Sequence, residues 1–295
     1  VWFVGENRLV LFHDGERASL PPIPQPPELS RETNFEAVHG TSATNVFVVG
    51  SQGTILHWDG ARWERETGNG LTAMSLRAVV ALADGGAAVG ATQGQVLLRV
   101  SGVASLSIRW TRESVPSSSE VREVFVGADE RLLALTRGRE LFARGPSGWQ
   151  LVGRLDGALN ETFAAVQCDG GVLVGGAGFA QSLWYLPAGA DGLDGGWVGL
   201  DAGLGVSDLV SAEGGVLIGA GGMLAWLDET ILLKLNPGWN HGSVAVLPDG
   251  SRRFVASSAN GAVGVWEQAA GLEHGRSVGG RCGGLRRVDS AARLI

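Results

Sequence analysis

The sequence predicts an all-β fold, a seven-bladed β-propeller of four-stranded blades, and three observations carry that expectation. A block recurs along the chain: an apolar strand start, an acidic-glycine turn, a Val/Ala-rich strand ending in Gly, then a Gly-x-apolar strand. Its starts fall at Phe35, Leu76, Val121, Phe163, Val206, His241 and Leu285, 41 to 45 residues apart except for one interval of 35. Such a period belongs to four-stranded units repeated around a ring. None of the segments keeps a helical apolar period or recurring helix caps. The two chain ends each lack what the other supplies, as a closing blade requires.

The first full copy runs from residue 35 to 67. Phe35–Val38 reads as its inner strand, Val46–Val49 as the second, Thr54–Trp58 as the third and Arg62–Glu66 as the outer one. Gly50 to Gly53 turns the second strand into the third, and Asp59-Gly60 is a dipeptide suited to a two-residue hairpin. Further blades span 76–114, 121–153, 163–201, 206–236 and 241–279. Residues 1–20 align with a second, third and outer strand, with Gly5 opposite Gly50 and Asp14-Gly15 opposite Asp59-Gly60. Leu285–Val288 reads as an inner strand with nothing after it. A composite blade, 285–295 plus 1–20, is therefore expected to close the ring and shield the strand edges that an open array would expose.

Composition fits one large β domain. Among 295 residues, 44% are hydrophobic and 18% charged, and 47 glycines with 10 tryptophans suit many short strands, tight turns and large packing groups. A net charge of −7 argues against nucleic acid as a partner, since that affinity comes mainly from neutralising phosphates. Two cysteines, Cys168 and Cys282, are expected to be free thiols on distant blades. No run of apolar residues is long enough for a transmembrane helix. Starting at Val1 without a basic-plus-apolar leader, the sequence reads as a region of a longer polypeptide with further domains.

At Gly53-Thr54-Ile55-Leu56-His57-Trp58-Asp59-Gly60-Ala61-Arg62-Trp63 the chain resembles bacterial propellers whose repeats read VWAVG..GTILHWDG..W, abundant in myxobacterial cell-envelope proteins. Those are similar to the Asp-box (BNR-like) repeats of sialidases and of photosystem II assembly-factor-like propellers. The motif is specific in Val1–Gly15 and Val46–Trp63 and decays elsewhere. The resemblance implies a seven-bladed scaffold used for binding, often in exported bacterial proteins, which favours the cell envelope. It also implies that Asp14-Gly15 and Asp59-Gly60 are turn residues and that Trp58 and Trp63 pack between blades.

No catalytic constellation emerges. A sialidase-like site needs a tyrosine nucleophile, and the single tyrosine, Tyr185, falls on a third strand away from the inner ring. His13, His39, His57, His241 and His274 lack metal-ligand spacing and read as turn or strand-surface residues. Asp191, Asp194 and Asp201 lie in a Gly-rich loop without the order of a calcium loop. No metal or cofactor is expected.

The second position of each inner strand is more informative, because it points toward one mouth of the central channel. In blade order these positions hold Glu36, Arg77, Arg122, Ala164, Ser207, Gly242 and Arg286, with Arg287 adjacent. Arginines there form a basic arc suited to a carboxylate-bearing, acidic partner, unless Glu36, Glu123 and Asp208 neutralise them. The proline-rich connection Pro21–Asn34 reads as a stiff crossover or a second docking surface. The expected function is a non-enzymatic recognition or scaffold propeller that binds a protein or peptide at the channel mouth. The alternative is a carbohydrate-binding or degenerate glycan-processing Asp-box propeller, which requires exposed tryptophans on several blades.

Overall fold

The computed structural model of the chain describes residues 1–14, 17–23, 29–100, 109–155, 159–168, 170–177, 182–200, 205–212, 215–221, 223–228, 231–237, 241–246, 253–258, 263–267 and 286–289. Gly15, Asp201, His274, Cys282, residues 24–28 of the proline-rich connection and the outer strand expected near Arg276–Val278 lie outside the described residues. Two compact units divide the chain, Trp2–Leu151 and Val152–Ile295 with Val1.

The first unit is built from sheets that follow one another along the chain. Strands β1 (Trp2–Gly5), β2 (Leu9–His13) and β3 (Ala18–Ser19) pair in that order. Then come three four-stranded antiparallel meanders: β4 (Phe35–Ser42), β5 (Asn45–Gly50), β6 (Ile55–Trp58) and β7 (Trp63–Arg65); β8 (Leu76–Ala81), β9 (Ala87–Ala91), β10 (Gln95–Val100) and β11 (Arg109–Ser114); and β12 (Val121–Val126), β13 (Leu132–Thr136), β14 (Glu140–Gly145) and β15 (Gly148–Arg154). The second strands show why these sequences are unbroken apolar runs. Val46–Gly50 of β5 and all of β9 are buried, because sheets cover them on both faces, so no alternation with polar residues survives.

Sheet-to-sheet packing supplies the core. Phe47, Val49 and Ile55 of one sheet pack with Leu76, Val79, Val89 and Trp110 of the next. Ala78, Val80, Ala88 and Val96 of that sheet pack in turn with Val121, Val124, Phe142 and Trp149. Each fully buried large apolar side chain contributes about 1.5–3 kcal/mol. Glycine is demanded where these sheets come closest. Gly53 and Gly94, at the turns from second to third strand, both have φ of +66°, and a Cβ there would overlap the carbonyl oxygens of Thr72 and Ser117 in the connections to the next sheet.

The second unit repeats the plan with β16 (Glu161–Cys168), β17 (Gly171–Ala177), β18 (Leu183–Pro187) and β19 (Val198–Leu200), followed by β20 (Val206–Ala212), β21 (Gly215–Ala220), β22 (Met223–Asp228) and β23 (Ile231–Pro237). Leu173, Leu183 and Tyr185 pack with Val206, Leu209 and Ile218. Three strands, β24 (His241–Val246), β25 (Arg253–Ser258) and β26 (Val263–Glu267), form the next sheet, and β27 (Arg286–Asp289) is the last strand among the described residues.

One expectation is corrected here. The inner strand of a composite blade is expected at Leu285–Val288, but the strand found there, β27, pairs in parallel with β23, Ile231 opposite Arg286 and Lys234 opposite Asp289. An outer strand has an open row of N–H and C=O groups, and β27 takes that edge. Among the described residues, β1 therefore ends its sheet with no strand on its inner side.

Candidate functional site

The inner strands share an irregularity at the positions that matter. In β4, Phe35 opposes Gly50 but Ala37 opposes Val49, so Glu36 is left without an opposite residue. The same slip isolates Arg77 in β8, Arg122 in β12, Phe163 in β16 and Ser207 in β20. In β24 the slip spans Gly242 and Ser243. A bulge of this kind twists the strand and re-aims the extra side chain. It also corrects the register of the fourth copy: the equivalent of Glu36 is Phe163, whereas Ala164 pairs with Gly175 and is buried.

Three bulged strands bring charges together. Arg77 Nη1 lies 2.8 Å from Glu36 Oε1, and Arg77 Nε lies 3.2 Å from Glu120 Oε2. The other Glu120 oxygen lies 2.6 Å from Arg122 Nε. Glu36, Arg77, Glu120 and Arg122 thus form one alternating chain across β4, β8 and β12, with Glu120 at the entrance to β12. All four side chains are partly exposed, between 14% and 33%.

The expected arc of basic groups is therefore an ion-pair chain in its described part. The neutralising acids are Glu36, as expected, and Glu120, which the expectation did not include. Glu123 accepts the N–H of Val124, and Asp208 accepts the N–H groups of Leu209 and Val244. The signal for Glu120 was present as Glu120-Val121-Arg122, since charges two apart on a strand share a face. Arg286 and Arg287 lie on β27 beside β23, where only their backbone is described.

A second arrangement, which the sequence reading missed, joins the outer strands. Trp110 Nε1–H donates to Glu66 Oε2 across 3.2 Å, and Arg99 Nε lies 3.2 Å from Glu66 Oε1. One sheet further on, Trp149 Nε1–H donates to Glu113 Oε2 at 2.9 Å, and Arg144 grips Glu113 with two bonds of 2.9 and 2.7 Å. The signal was a repeated W-x-R-E, Trp63 to Glu66 and Trp110 to Glu113.

The two glutamates respond to opposite influences. Burial pushes the Glu66 carboxyl up from its ordinary value against the pull of Arg99, whereas the bonds from Arg144 hold Glu113 below it. His57, stacked on Phe47 with ring centroids 4.4 Å apart, is pushed down by burial and then by Arg99.

The seam between the first two sheets is different. Where later seams carry Arg99 or Arg144, it carries Trp58, and Trp2, Phe12, Trp58 and Trp63 pack at centroid distances of 4.7–5.5 Å. Trp63 is buried, as are Trp110 and Trp149. That burial counts against a glycan platform built from outer-strand tryptophans.

The turn residues take local roles. Asp59 Oδ1 accepts the N–H groups of Ala61 and Arg62 at 2.8 and 2.9 Å, next to Gly60 at φ +100°, and Asp14 Oδ1 accepts that of Arg17 at 2.7 Å. Trp58 donates to the Ala43 carbonyl. One histidine departs from the surface reading: His13 is buried, whereas His39 is an exposed strand residue whose Nδ1 accepts the N–H of Ala81 on the neighbouring inner strand. Tyr185 lies buried on β18, Cys168 is a buried free thiol, and Asp191 Oδ1 accepts the N–H of Leu193. Among the described residues, no group of three or more His, Cys, Asp or Glu could hold a metal ion, and no helix is long and apolar enough to cross a membrane.

No family model and no curated protein matches the sequence. Solved structures do. A chain from the mitotic checkpoint complex is similar with a TM-score of 0.70 at 15% identity, over 91% of this chain and 86% of that one. The chain is an all-β propeller with four-stranded blades. YCF48 bound to D1 peptide is similar at a TM-score of 0.57 and 17% identity, over 76% of this chain and 73% of that one. The extracellular domain of the BT4673 system from B. thetaiotaomicron is similar at 0.65 and 14% identity, and the match spans 90% of this propeller but only 36% of that chain.

Proposed function

We propose that this chain is a seven-bladed, non-enzymatic interaction propeller that recognises a protein or peptide at the mouth formed by its bulged inner strands. The seven sheets in chain order and the repeat period support the blade count, and the capped turns at Asp14 and Asp59 support the Asp-box resemblance. One observation carries the functional reading: in the partly exposed chain Glu36–Arg77–Glu120–Arg122, Glu36, Arg77 and Arg122 lie on successive inner strands at positions that bulges free from the ladder, and Glu120 joins the two arginines from the entrance to β12. Such charges cost little to leave in water, and they give a partner's carboxylates something to exchange with. Propellers of similar fold have been solved in partner-bound states, YCF48 with D1 peptide and a chain within the mitotic checkpoint complex. The fold similarity alone does not carry the binding.

A peptide array of graded acidity tests the reading. Acidic peptides are expected to bind the native chain and to lose binding when Arg77 and Arg122 are both changed to Glu, while the far-ultraviolet spectrum and melting midpoint stay close to native. Unchanged binding by the folded double variant would refute it.

A further inference from the structure

The acids that meet arginine across the sheets of Trp2–Leu151 are not held alike. Glu66 and Glu113 each accept a tryptophan N–H besides their arginine contact, and Glu120 meets two arginines, Arg77 and Arg122. Among the described residues Glu36 meets Arg77 alone, through one contact of 2.8 Å between Oε1 and Nη1. Its side chain is also the most exposed of the four, at 33% against 14% for Glu120.

Arg77 does not depend on Glu36 for its position. Its Nε–H donates to Glu120 Oε2 at 3.2 Å, so the guanidinium stays anchored when Glu36 leaves. A guanidinium carries Nη1 and Nη2 as one planar fork, which a carboxylate can engage with both oxygens. Glu36 engages it with one oxygen, at Nη1. The bulge adds freedom of movement: Glu36 lies opposite no residue of β5, so its side chain can swing away without breaking a cross-strand pair.

We propose that Glu36 is an internal stand-in for the ligand: it occupies Arg77 in the free chain, and an acidic side chain of the partner displaces it while Glu120 keeps Arg77 in place. The inference rests on the reading of the ion-pair chain as a recognition site and adds the regulation of that site. Molecules with Glu36 seated are closed to the ligand, so the apparent affinity falls in proportion to the fraction that is open. A carboxylate that uses the whole fork outcompetes the single contact of Glu36, and a neutral amide does not.

The test uses the whole chain with 13C-labelled glutamate side chains, the Glu36 Cδ resonance being assigned by its loss in Glu36→Gln. Titration with a capped Gly-Glu-Glu-Gly peptide is expected to move that resonance saturably toward the position it takes in Arg77→Gln, and the Gly-Gln-Gln-Gly counterpart to leave it in place. Glu36→Gln is expected to bind the acidic peptide roughly two- to fivefold more tightly, the strength of one partly exposed ion pair. Glu64→Gln, which removes an equal charge from the exposed pair with Arg62, is expected to bind as the native chain does. A stationary Glu36 resonance on a chain that binds, a Glu36→Gln protein no tighter than native, or an equal gain in Glu64→Gln would each overturn this inference alone. Absence of binding by both native and Glu36→Gln protein, or binding that survives the change of Arg77 and Arg122 to Glu, would overturn the underlying reading with it.

Discussion

Trp149 and Glu113 join the outer strands of two successive sheets through an indole hydrogen bond of 2.9 Å, and Trp110 and Glu66 repeat the contact one sheet earlier at 3.2 Å. The partners come from segments 36 and 44 residues apart, so each bond fixes one blade against the next.

Glu113→Gln should destabilise the chain by about 1–3 kcal/mol at neutral pH, because the bidentate bond from Arg144 loses its charge. The folded-state carboxyl is held below its ordinary value, so its contribution is present above the unfolded value and disappears as pH falls through the folded one. Denaturation curves of native and Glu113→Gln protein should converge in acid.

Glu66 should show the reverse slope. Its folded-state carboxyl is pushed above the ordinary value, so its contribution is fully present below the unfolded value and is lost as pH rises through the folded one. The stability of Glu66→Gln relative to native should therefore improve with rising pH over that window. Paired urea titrations across the acid range measure it, and parallel slopes for the two glutamine variants would contradict the burial argument.

Two glycines of similar backbone should differ in tolerance. Gly85 has φ of +83° and nothing near an added Cβ, so Gly85→Ala should cost about 1–2 kcal/mol of left-handed strain. Gly53→Ala adds an overlap with the Thr72 carbonyl oxygen and should cost about 3 kcal/mol or more. Thermal midpoints rank the pair.

Glu120 holds both arginines of the inner chain. Changing it to Gln should leave stability within about 1 kcal/mol, as partly exposed ion pairs generally do. Binding of acidic peptides should strengthen, because two guanidinium groups lose a competing carboxylate. Weaker binding, measured by titration calorimetry, would mean that Glu120 itself contacts the partner.

Much of this molecule was legible because its local signals agree. Valine-rich runs such as Val46–Val49 have no helical alternative, and Asp59-Gly60 sets a turn within its own four residues. Contacts between repeats were harder to read. Glu66 and Trp110 look like an unremarked acid and an ordinary core aromatic until the sheets are stacked. The one-residue slip at Thr162–Ala164 moved the bulge to Phe163 because apolar alternation fixes the face of a strand but not where its ladder breaks. The seat of β27 was illegible for a related reason: a short strand with a free edge on offer in two places carries no sequence mark of which it joins.

The bulges set one last property. A residue opposite no partner can change size or charge without disturbing a cross-strand pair, and its neighbours keep their register whichever side chain it bears. Glutamate, arginine, phenylalanine and serine already occupy that place in different strands. Variation at these positions is thereby uncoupled from folding, so each could be rewritten, by selection or by design, on an unchanged frame.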